Sequence, residues 1–483
     1  MSSTNNTQDH HDLHIFFFPY LASGHMIPLL DTALLFAARG VKVSYVTTAG
    51  NLPSLLPAVS SAAANGASMQ LLLLPFPFEE AGLPSGCENT NSLPMTDAAH
   101  EKFYNLIQLL QQPLRQLIVD HRPDFLVADE LYPWTSDLAI SLNIPRVVFN
   151  GTSHFTICIL DQVEQMMVNS RDDDKPFVVH EIEITKAELP KVFHYPKIAL
   201  DMFREASNKS YGLLLNSFDE LVPEYVERLK TDGKSRRVWN VGPVSLRHWK
   251  EADNGKDDKG IKAWLDDKKD RSVLYIAFGS ECVFSDDQLR EIGLGLEGSG
   301  RDFIWVVRGG GGGLDTIGDW LPKGFEEKVE GRGLVVRGWA PQRMILNHPA
   351  LGAFMMQCGW NSTLEALSCG VPMIAWPLHS EQFVNERLIV QVLGTGASAI
   401  EQGVKRSIFA EQEEVVKAEA VKRAVDRVMG EGGEAAEIRS RAEKYKKISR
   451  SVVEEGGSSH VNLTCMIQEL TKVAREKKRE TSY

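Results

Sequence analysis

The sequence predicts an α/β protein built from two doubly wound domains, each with a parallel sheet. Short runs rich in Val, Ile, Leu and Phe alternate along the chain with longer amphipathic stretches, as buried parallel strands alternate with helices. The alternation lapses once, in a charged stretch near residue 250, and then resumes. The length of 483 residues also exceeds that of one ordinary hydrophobic core.

The first half of the chain contains a series of predicted strands with helical patterns between several of them. The first predicted helix, Ile27–Ala38, ends before Gly40. Each strand is a short apolar run bounded by polar residues, Gly or Pro. The predicted strands are His14–Phe18, Val41–Thr47, Gln70–Leu74, Phe125–Ala128, Arg146–Phe149 and Leu213–Asn216.

Residues 246–262 are polar and charged, and we interpret them as an exposed linker. They separate a first domain, residues 1–245, from a second, residues 263–460. An amphipathic helix is predicted over residues 285–299. The strands predicted in the second domain are Val273–Phe278, Phe303–Val307, Gly333–Arg337, Ala353–Met356 and Met373–Trp376.

Composition excludes several classes of protein. The net charge of −12 argues against a nucleic-acid binder, which needs a basic face. The six cysteines are scattered without a CxxC pair, so neither a zinc site nor a disulfide framework is indicated. The polar N-terminus has no signal-peptide pattern, and no apolar run reaches the roughly 18 residues of a membrane span. A cytoplasmic protein that does not insert into membranes is therefore expected.

One strand of the second domain leads into a candidate anion site. After Ala353–Met356 comes the turn Gln357-Cys358-Gly359, and a helix is predicted to open near Asn361-Ser362. A glycine turn before a helix N-terminus can bind a diphosphate through free backbone N–H groups and the helix dipole. The alternative is that Ser362 and Glu365 form a capping box, which needs no ligand.

The surrounding segment, Trp339 to Gln382, resembles the donor-binding signature of the plant secondary-product UDP-glycosyltransferases. The resemblance extends along the chain through GHMIP, PWT, NSFDEL, YIAFGS and FIWVVR, and is strongest to the branch acting on flavonoids, other phenolics and triterpenoids. The matching residues are Trp339-Ala340-Pro341-Gln342, Cys358-Gly359-Trp360-Asn361-Ser362, Glu365, Gly370-Val371-Pro372, Pro377 and Glu381-Gln382.

The resemblance implies how the nucleoside of a UDP-sugar is held. Trp339 would stack on the uracil, because an indole face suits a flat base, although a lone tryptophan is more often a core residue. The Ala340 backbone and the Gln342 side chain would hold the uracil edge and the ribose. Glu365 would accept hydrogen bonds from the ribose hydroxyls.

The resemblance also assigns the diphosphate, the sugar and the acceptor. Asn361, Ser362 and Ser280 would donate hydrogen bonds to the phosphates beside the Gly359 turn. The final Gln of the segment is the usual mark of a glucose donor. The residues implied for the sugar are Trp360, Glu381 and Gln382, and those implied for the acceptor are Thr152 and Ser380.

Gln357 departs from the family pattern, which has a histidine there that donates to the diphosphate. A glutamine amide can donate but never carries charge. A charge-assisted hydrogen bond exceeds a neutral one by roughly 1 kcal/mol. We therefore expect weaker donor binding or slower turnover, with activity retained.

His25 is the candidate general base. It follows the first strand and its loop, and an imidazole titrates near neutrality, so its neutral form can take a proton from an alcohol. Its GHMIP context matches the catalytic histidine of the family. Asp129, directly after the strand Phe125–Ala128, matches the paired aspartate, while the neighbouring Glu130 leaves a second carboxylate as the alternative partner.

By resemblance, the fold is of the GT-B type, with two Rossmann-like domains whose parallel sheets face each other across a cleft. The first domain would bind the acceptor and the second the UDP-sugar, and the C-terminal helix (Val461–Ala474, within residues 461–483) would cross back onto the first. The protein would be a monomer that needs no cofactor or metal. It would transfer glucose with inversion to a small plant metabolite.

Three alternatives remain open at this point. The protein could be a catalytically weak UDP-sugar-binding sensor or partner module, as Gln357 suggests, or a C-glycosyltransferase of the same family. A nicotinamide-dependent enzyme is suggested by the doubly wound pattern. Its fingerprint GxGxxG occurs only at Gly293–Gly298, at the end of a helical stretch instead of after a strand.

Overall fold

A computed structural model of the chain describes residues 13–93, 97–169, 175–231, 237–248, 260–279, 282, 284–307, 321, 324–400, 404 and 414–480. The chain divides into two compact units. The first unit contains residues 1–154, 196–247 and 452–483. The second contains residues 155–195 and 248–451.

Short strands and longer helices alternate through both units. The strands are β1 (His14–Phe18), β2 (Lys42–Thr47), β3 (Met69–Leu73), β4 (Phe125–Asp129), β5 (Arg146–Asn150), β6 (Phe177–Val179), β7 (Ile182–Ile184), β8 (Gly212–Leu215), β9 (Arg237–Asn240), β10 (Val273–Ile276), β11 (Asp302–Val307), β12 (Gly333–Arg337), β13 (Leu351–Met356), β14 (Met373–Ala375) and β15 (Gly396–Ser398). The helices are α1 (Ser23–Ala37), α2 (Leu52–Ala64), α3 (Phe78–Ala81), α4 (Asp97–Leu109), α5 (Gln111–His121), α6 (Trp134–Ser141), α7 (His154–Asn169), α8 (Lys197–Asn208), α9 (Pro223–Thr231), α10 (Ile261–Asp266), α11 (Asp286–Ser299), α12 (Phe325–Lys328), α13 (Gln342–Leu346), α14 (Trp360–Cys369), α15 (Gln382–Arg387), α16 (Ala418–Met429), α17 (Gly433–Ser451) and α18 (Ser458–Glu480).

Each unit contains one parallel sheet with the strand order of a dinucleotide-binding fold. The first sheet runs β3-β2-β1-β4-β5-β8-β9, and the second runs β12-β11-β10-β13-β14-β15. In both, the chain starts at a central strand, winds outward to one edge and then returns to the other side. The predicted fold class, two doubly wound α/β domains with parallel sheets, is confirmed.

Strand β1 shows why these runs are apolar on both faces. Ile15 and Phe17 pack on one side of the sheet with α1, α2 and α18, while Phe16 and Phe18 pack on the other side with α4, α5 and α6. Side chains alternate across a strand, so a sheet covered on both faces needs hydrophobic residues at every position. The strand predictions succeed where this pattern is complete.

Helix α1 begins earlier than the sequence predicts. It starts at Ser23, so His25 lies in its first turn and Pro28 lies inside the helix. The hydroxyl of Thr32 donates to the Pro28 carbonyl at 2.7 Å, within the helix. The strands β6, β7, β9 and β15, of three or four residues each, were not predicted.

Residues 155–195 belong to the second unit, whereas the sequence analysis placed all of residues 1–245 in one domain. Thr156 Oγ1 on α7 donates to Asn385 Oδ1 at 2.8 Å. Arg387 Nη2 donates to Glu188 Oε1 at 2.9 Å, and both side chains are buried. Contacts between residues about 200 positions apart in sequence thus place this segment. Most of the predicted linker, residues 249–259, lies outside the described residues.

The C-terminal helix α18 packs on the first unit. Its apolar face, Leu463, Met466, Ile467 and Leu470, is buried in the same core as Phe17. At its rim, Glu469 Oε1 accepts a hydrogen bond from the Tyr211 hydroxyl at 2.8 Å. The last helix is therefore part of the first hydrophobic core.

The GxGxxG match lies inside α11, and its central glycine has a packing role. A Cβ added at Gly295 would lie 2.6 Å from Val421 Cβ on α16, too close for any side chain. The glycine therefore lets α11 and α16 approach each other. This position within a helix differs from the strand-to-helix turn that a dinucleotide needs.

Candidate functional site

In the first unit, the fold brings a histidine and an aspartate together at the carboxyl edge of the sheet. Strand β1 pairs in parallel with β4, so the residues that follow β1 lie beside the end of β4. His25 Nδ1 lies 2.8 Å from Asp129 Oδ2. The side chain of Asp129 is 0% exposed and that of His25 is 28% exposed. A buried carboxylate thus orients an imidazole whose ring still reaches solvent.

The two oxygens of Asp129 have separate partners. Oδ2 accepts from His25, while Oδ1 accepts from the backbone N–H of Leu131 at 3.0 Å. The alternative carboxylate, Glu130, accepts a short hydrogen bond from Asn150 Nδ2. The structure therefore pairs His25 with Asp129, the partner that the sequence predicts.

The first turn of α1 is fixed by a loop that lies 68 residues further along the chain. Asn91 Oδ1 accepts from the backbone N–H of Ser23 at 3.2 Å and from its hydroxyl at 2.6 Å. The backbone N–H of Thr90 donates to the Leu21 carbonyl at 2.9 Å. The ring of Tyr20 meets the His25 ring edge-on, with centroids 5.4 Å apart. Sequence reasoning missed Asn91, because nothing local marks it.

Thr152 lies in the loop after β5, close to this pair. Its backbone N–H donates to Asn150 Oδ1 at 2.9 Å. Its hydroxyl is buried and has no hydrogen-bond partner among the described residues. A Cβ at the neighbouring Gly151 would lie 3.9 Å from His25 Nδ1. The loop therefore carries the buried Thr152 hydroxyl, which has no partner among the described residues, next to Gly151, which borders the His25 imidazole.

In the second unit, β13 leads through a tight turn into α14. Cys358 has a left-handed φ of 66°, and Gly359 is the N-cap, with no side-chain cap hydrogen bond. Because α14 starts at Trp360, Ser362 is its third residue and cannot be the N-cap. The capping-box alternative is therefore wrong. The first turn of the ten-residue helix directs N–H groups and the positive end of its dipole toward the turn.

Gln357 stands at the start of this turn, against two glycines. A Cβ at Gly279, which has a left-handed φ, would lie 2.2 Å from Gln357 Nε2, and one at Gly359 would lie 3.1 Å from it. The buried Oε1 has no hydrogen-bond partner among the described residues. The amide thus lies beside the helix N-terminus, where the family has its histidine. Ser280, the other predicted phosphate ligand of this region, lies outside the described residues.

Gln342, Ser362 and Glu365 form one hydrogen-bonded cluster. Gln342 Nε2 donates to Glu365 Oε2 at 2.8 Å and to Ser362 Oγ at 3.1 Å. Arg343 Nε donates to Glu365 Oε1 at 3.0 Å. The carboxylate is therefore held between an amide and a guanidinium. Sequence reasoning missed Arg343, although its position directly after Gln342 was a usable signal.

The residues at the start of the segment differ sharply in exposure. The side chain of Trp339 is 64% exposed, so it is not a core residue, whereas Ala340 is buried. Such exposure of a large aromatic side chain is typical of a contact surface. In the helix, Trp360 is buried and Asn361 is half-buried.

Glu381 and Gln382 lie at the start of α15, beside the loop that carries Ser380. Gln382 Oε1 accepts from the backbone N–H groups of Leu378 at 3.0 Å and His379 at 3.1 Å. Its oxygen is thus used within the protein. Its Nε2 lies 3.4 Å from His379 Nδ1, so one of its two N–H groups is left for a ligand. Ser380 is exposed and has a left-handed φ of 56°.

Asn385 connects these parts and was not predicted. Its Nδ2 donates to the Cys358 carbonyl at 2.9 Å and reaches Glu381 Oε1 at 3.4 Å. Its Oδ1 accepts from Thr156 on α7. One fully buried amide therefore links the phosphate-side turn, a predicted sugar ligand and the segment 155–195.

Comparison with known proteins identifies the family. The family described as UDP-glucoronosyl and UDP-glucosyl transferase matches residues 249–429. Scopoletin glucosyltransferase of Nicotiana tabacum is 43% identical over 477 residues, 95% of this chain and 98% of that protein. The chain belongs to the plant UDP-glycosyltransferases. UDP-glucose flavonoid 3-O-glucosyltransferase 7 of Fragaria ananassa is 40% identical to this glycosyltransferase over 97% of the chain and 98% of its own length.

Solved structures agree with this assignment. The crystal structure of Glycyrrhiza uralensis UGT73P12, complexed with glycyrrhetinic acid 3-O-monoglucuronide, has a TM-score of 0.87 and 34% identity, with 97% of this chain and 98% of that one covered. Phytolacca americana UGT2, complexed with UDP-2fluoro-glucose and pterostilbene, has a TM-score of 0.77 and 25% identity over 95% of this chain and 99% of that one. This glycosyltransferase therefore has the GT-B fold and uses a UDP-sugar. Among the residues that the structure describes, no helix is long and apolar enough to cross a membrane.

Proposed function

We propose that this enzyme is an inverting glucosyltransferase that moves glucose from UDP-glucose to a hydroxyl of a small plant metabolite. The observation that carries the proposal is the His25–Asp129 pair, with its 2.8 Å contact and fully buried carboxylate. His25 Nε2 takes the proton of the acceptor hydroxyl as the oxygen attacks the anomeric carbon. Asp129 stabilises the imidazolium that forms.

In the donor half of this proposal, the bond between the anomeric carbon and the diphosphate breaks as the new bond forms. A single displacement at an α-linked donor yields a β-glucoside and UDP. The N-terminus of α14, with the Gln357 amide beside it, stabilises the charge of the departing diphosphate. Because this role falls to backbone dipoles and neutral donors, transfer is expected to persist when EDTA is added.

The exposed indole of Trp339 supports a stacking role for the uracil, and the fixed carboxylate of Glu365 supports a role at the ribose hydroxyls. Ala340, Gln342, Asn361 and Ser362 complete the contacts to the nucleotide. Trp360, Glu381 and Gln382 hold the sugar. The choice of glucose rests on Gln382 and on the relatives named as glucosyltransferases.

The acceptor class follows from the same relatives. One is named for scopoletin, one for a flavonoid, and UGT73P12 was crystallised with a triterpenoid glucuronide. We therefore propose a phenolic or triterpenoid hydroxyl as the acceptor. The buried hydroxyl of Thr152, without a partner among the described residues, is available to bind it.

The experiment is mass spectrometry of products from UDP-glucose, UDP-galactose, UDP-xylose and UDP-glucuronate, each offered with coumarins, flavonols and triterpenoids. An acid-stable product would indicate C-transfer instead of O-transfer. Binding of UDP-glucose without release of UDP for any acceptor would favour the sensor alternative that Gln357 suggests.

His25→Ala tests the mechanism directly. Transfer should be lost while the dissociation constant for UDP-glucose, measured by calorimetry, changes less than about twofold. The control is His121→Ala, an exposed histidine at the other end of the same sheet, close to His14. Equal loss of binding and transfer in His25→Ala would contradict the role of His25 as the base.

A further inference from the structure

A buried guanidinium lies behind the His25–Asp129 pair. Arg146, the first residue of β5, is only 3% exposed. Its Nη2 donates to the backbone carbonyl of Asp129 at 3.3 Å. Its Nη1 donates to Ser210 Oγ at 2.8 Å and to the Ala206 carbonyl at 3.3 Å. Its Nε is buried and has no hydrogen-bond partner among the described residues.

This arginine is an unusual choice for a structural tether. A buried arginine requires desolvation of its charge, and here three hydrogen bonds use only three of its five N–H donors. A neutral side chain could link β5 to Ser210 at less cost. What distinguishes Arg146 is its charge, placed next to the peptide of Asp129.

The arginine is charged in the working range of pH. Burial lowers the pKa of Arg146 to about 10, and the nearby Asp129 and Glu130 act in the opposite direction. The cation therefore faces two carboxylates. Of these, Asp129 contacts His25 and Glu130 is held by Asn150.

We infer that Arg146 is a positioning residue that offsets the two carboxylates and so keeps His25 unprotonated until it receives the acceptor proton. The inference rests on the proposed role of His25 as a base. The buried carboxylate of Asp129 and the half-buried carboxylate of Glu130 alone would favour the imidazolium already in the resting enzyme, and a protonated histidine cannot accept a proton. The side chains of Arg146, Asp129, Glu130 and His25 together have a net charge of zero only when His25 is protonated during transfer.

Other titratable groups around the pair do not replace this effect. Tyr45 on β2 and Tyr132 after β4 are buried, and burial raises the pKa of each well above its usual value, so both stay neutral. Tyr20 packs edge-on against His25. Asp31 on α1 is a further acid of this region, since it and Asp129 both lie near Tyr45. Arg146 is thus a buried cation beside the acids Asp129 and Glu130.

The test compares Arg146→Met, which removes the charge, with Arg146→Lys, which retains it. The NMR titration of the His25 ring is followed in the full-length enzyme without substrates, with the signal assigned by His25→Gln. In Arg146→Met the pKa of His25 should rise by about one unit, the order expected for loss of a nearby full charge in a partly buried site. The acid limb of the pH profile of kcat/KM, which reports the free enzyme, should move to higher pH by the same amount.

Arg146→Lys should keep the pKa of His25 and the position of the acid limb within a few tenths of a pH unit of the wild type. Ser210→Ala is the matched structural control, because it removes a hydrogen bond of Arg146 and leaves its charge. A loss of packing alone would lower stability in all three variants without moving the titration of His25.

Glu130→Gln keeps the test decisive if Arg146→Met does not fold. Removal of a negative charge should lower the pKa of His25, the opposite direction, and move the acid limb of kcat/KM to lower pH. The inference is overturned if a folded Arg146→Met or Glu130→Gln leaves the His25 titration unchanged or shifts it in the other direction. If the wild type transfers no sugar, the proposed function fails, while the titration still measures the charge balance.

Discussion

The substitution Asp129→Asn tests whether the carboxylate selects the tautomer of His25. In the wild type, Oδ1 accepts from the backbone N–H of Leu131 and Oδ2 accepts from His25 Nδ1. The Leu131 N–H needs an acceptor, so the single oxygen of the asparagine stays there and its NH₂ group turns toward His25. The Nδ1 atom must then accept a hydrogen bond, which places the imidazole proton on Nε2. A histidine in this tautomer cannot take a proton from the acceptor.

The size of the effect follows from what the carboxylate does. In the serine-protease triad, the corresponding change of tautomer lowers kcat by about 10⁴-fold. Because Asp129 is fully buried and holds His25 at 2.8 Å, we expect a loss of about 10³- to 10⁴-fold, or roughly 4 to 5.5 kcal/mol of the activation barrier. The affinity for UDP-glucose should change little, because the residues proposed to bind the donor lie in the second unit.

The assay measures kcat by UDP release with saturating UDP-glucose, together with calorimetry of UDP-glucose binding. Asp137→Asn is the matched control, because Asp137 is an exposed aspartate on α6 whose partner is Lys209. The reasoning is refuted if Asp129→Asn keeps kcat within tenfold of the wild type while the protein remains folded.

Three further predictions concern the second unit and stability. Gln357→His should lower the donor KM or raise kcat about fivefold, since a charge-assisted hydrogen bond gains roughly 1 kcal/mol; abolished activity would reveal another role for the amide. Asn385→Ala should raise the KM for UDP-glucose severalfold and lower the free energy of unfolding by about 2–3 kcal/mol, because the Cys358 carbonyl loses its partner. The control Thr156→Val should lower the free energy of unfolding by only about 1 kcal/mol and leave KM unchanged. Burial lowers the pKa of His154 to about 4, so the folded state stays neutral while the unfolded chain takes up a proton below pH 6.5. The free energy of unfolding should therefore fall as pH drops from 6.5 toward 4. In His154→Asn, the free energy of unfolding obtained from thermal melts should fall about 2 kcal/mol less than in the wild type between pH 7 and pH 5.

The sequence predicts the central strands because their burial on both faces leaves a plain signal. Strand β1 has the bounds that the sequence predicts, His14–Phe18, whereas β6 and β15, of three residues each, are too short to show a pattern. The early start of α1 depends on Asn91, which comes from a distant loop. No local preference of Ser23 or Gly24 could indicate that contact.

Some residues of the candidate site can likewise be predicted from the sequence, and others cannot. His25, Asp129 and the segment from Trp339 to Gln382 are found from their motifs. Arg146 and Asn385 are not, because each contacts residues distant in sequence. The assignment of residues 155–195 fails for the same reason, since the Arg387–Glu188 ion pair joins positions 199 apart. Sequence patterns show which residues are apolar or chemically suited, and only the folded chain shows which of them meet.

The first unit consists of three separate stretches of the chain, and this has a consequence for protein engineering. The simplest chimera of two relatives has a single junction, near the middle of the chain. Here such a cut would separate residues 1–247 from α18, whose Leu463, Met466 and Ile467 fill the core around Phe17. It would also part residues 155–195 from Asn385 and Arg387. A chimera that respects these interfaces needs four junctions, near positions 154, 196, 247 and 452.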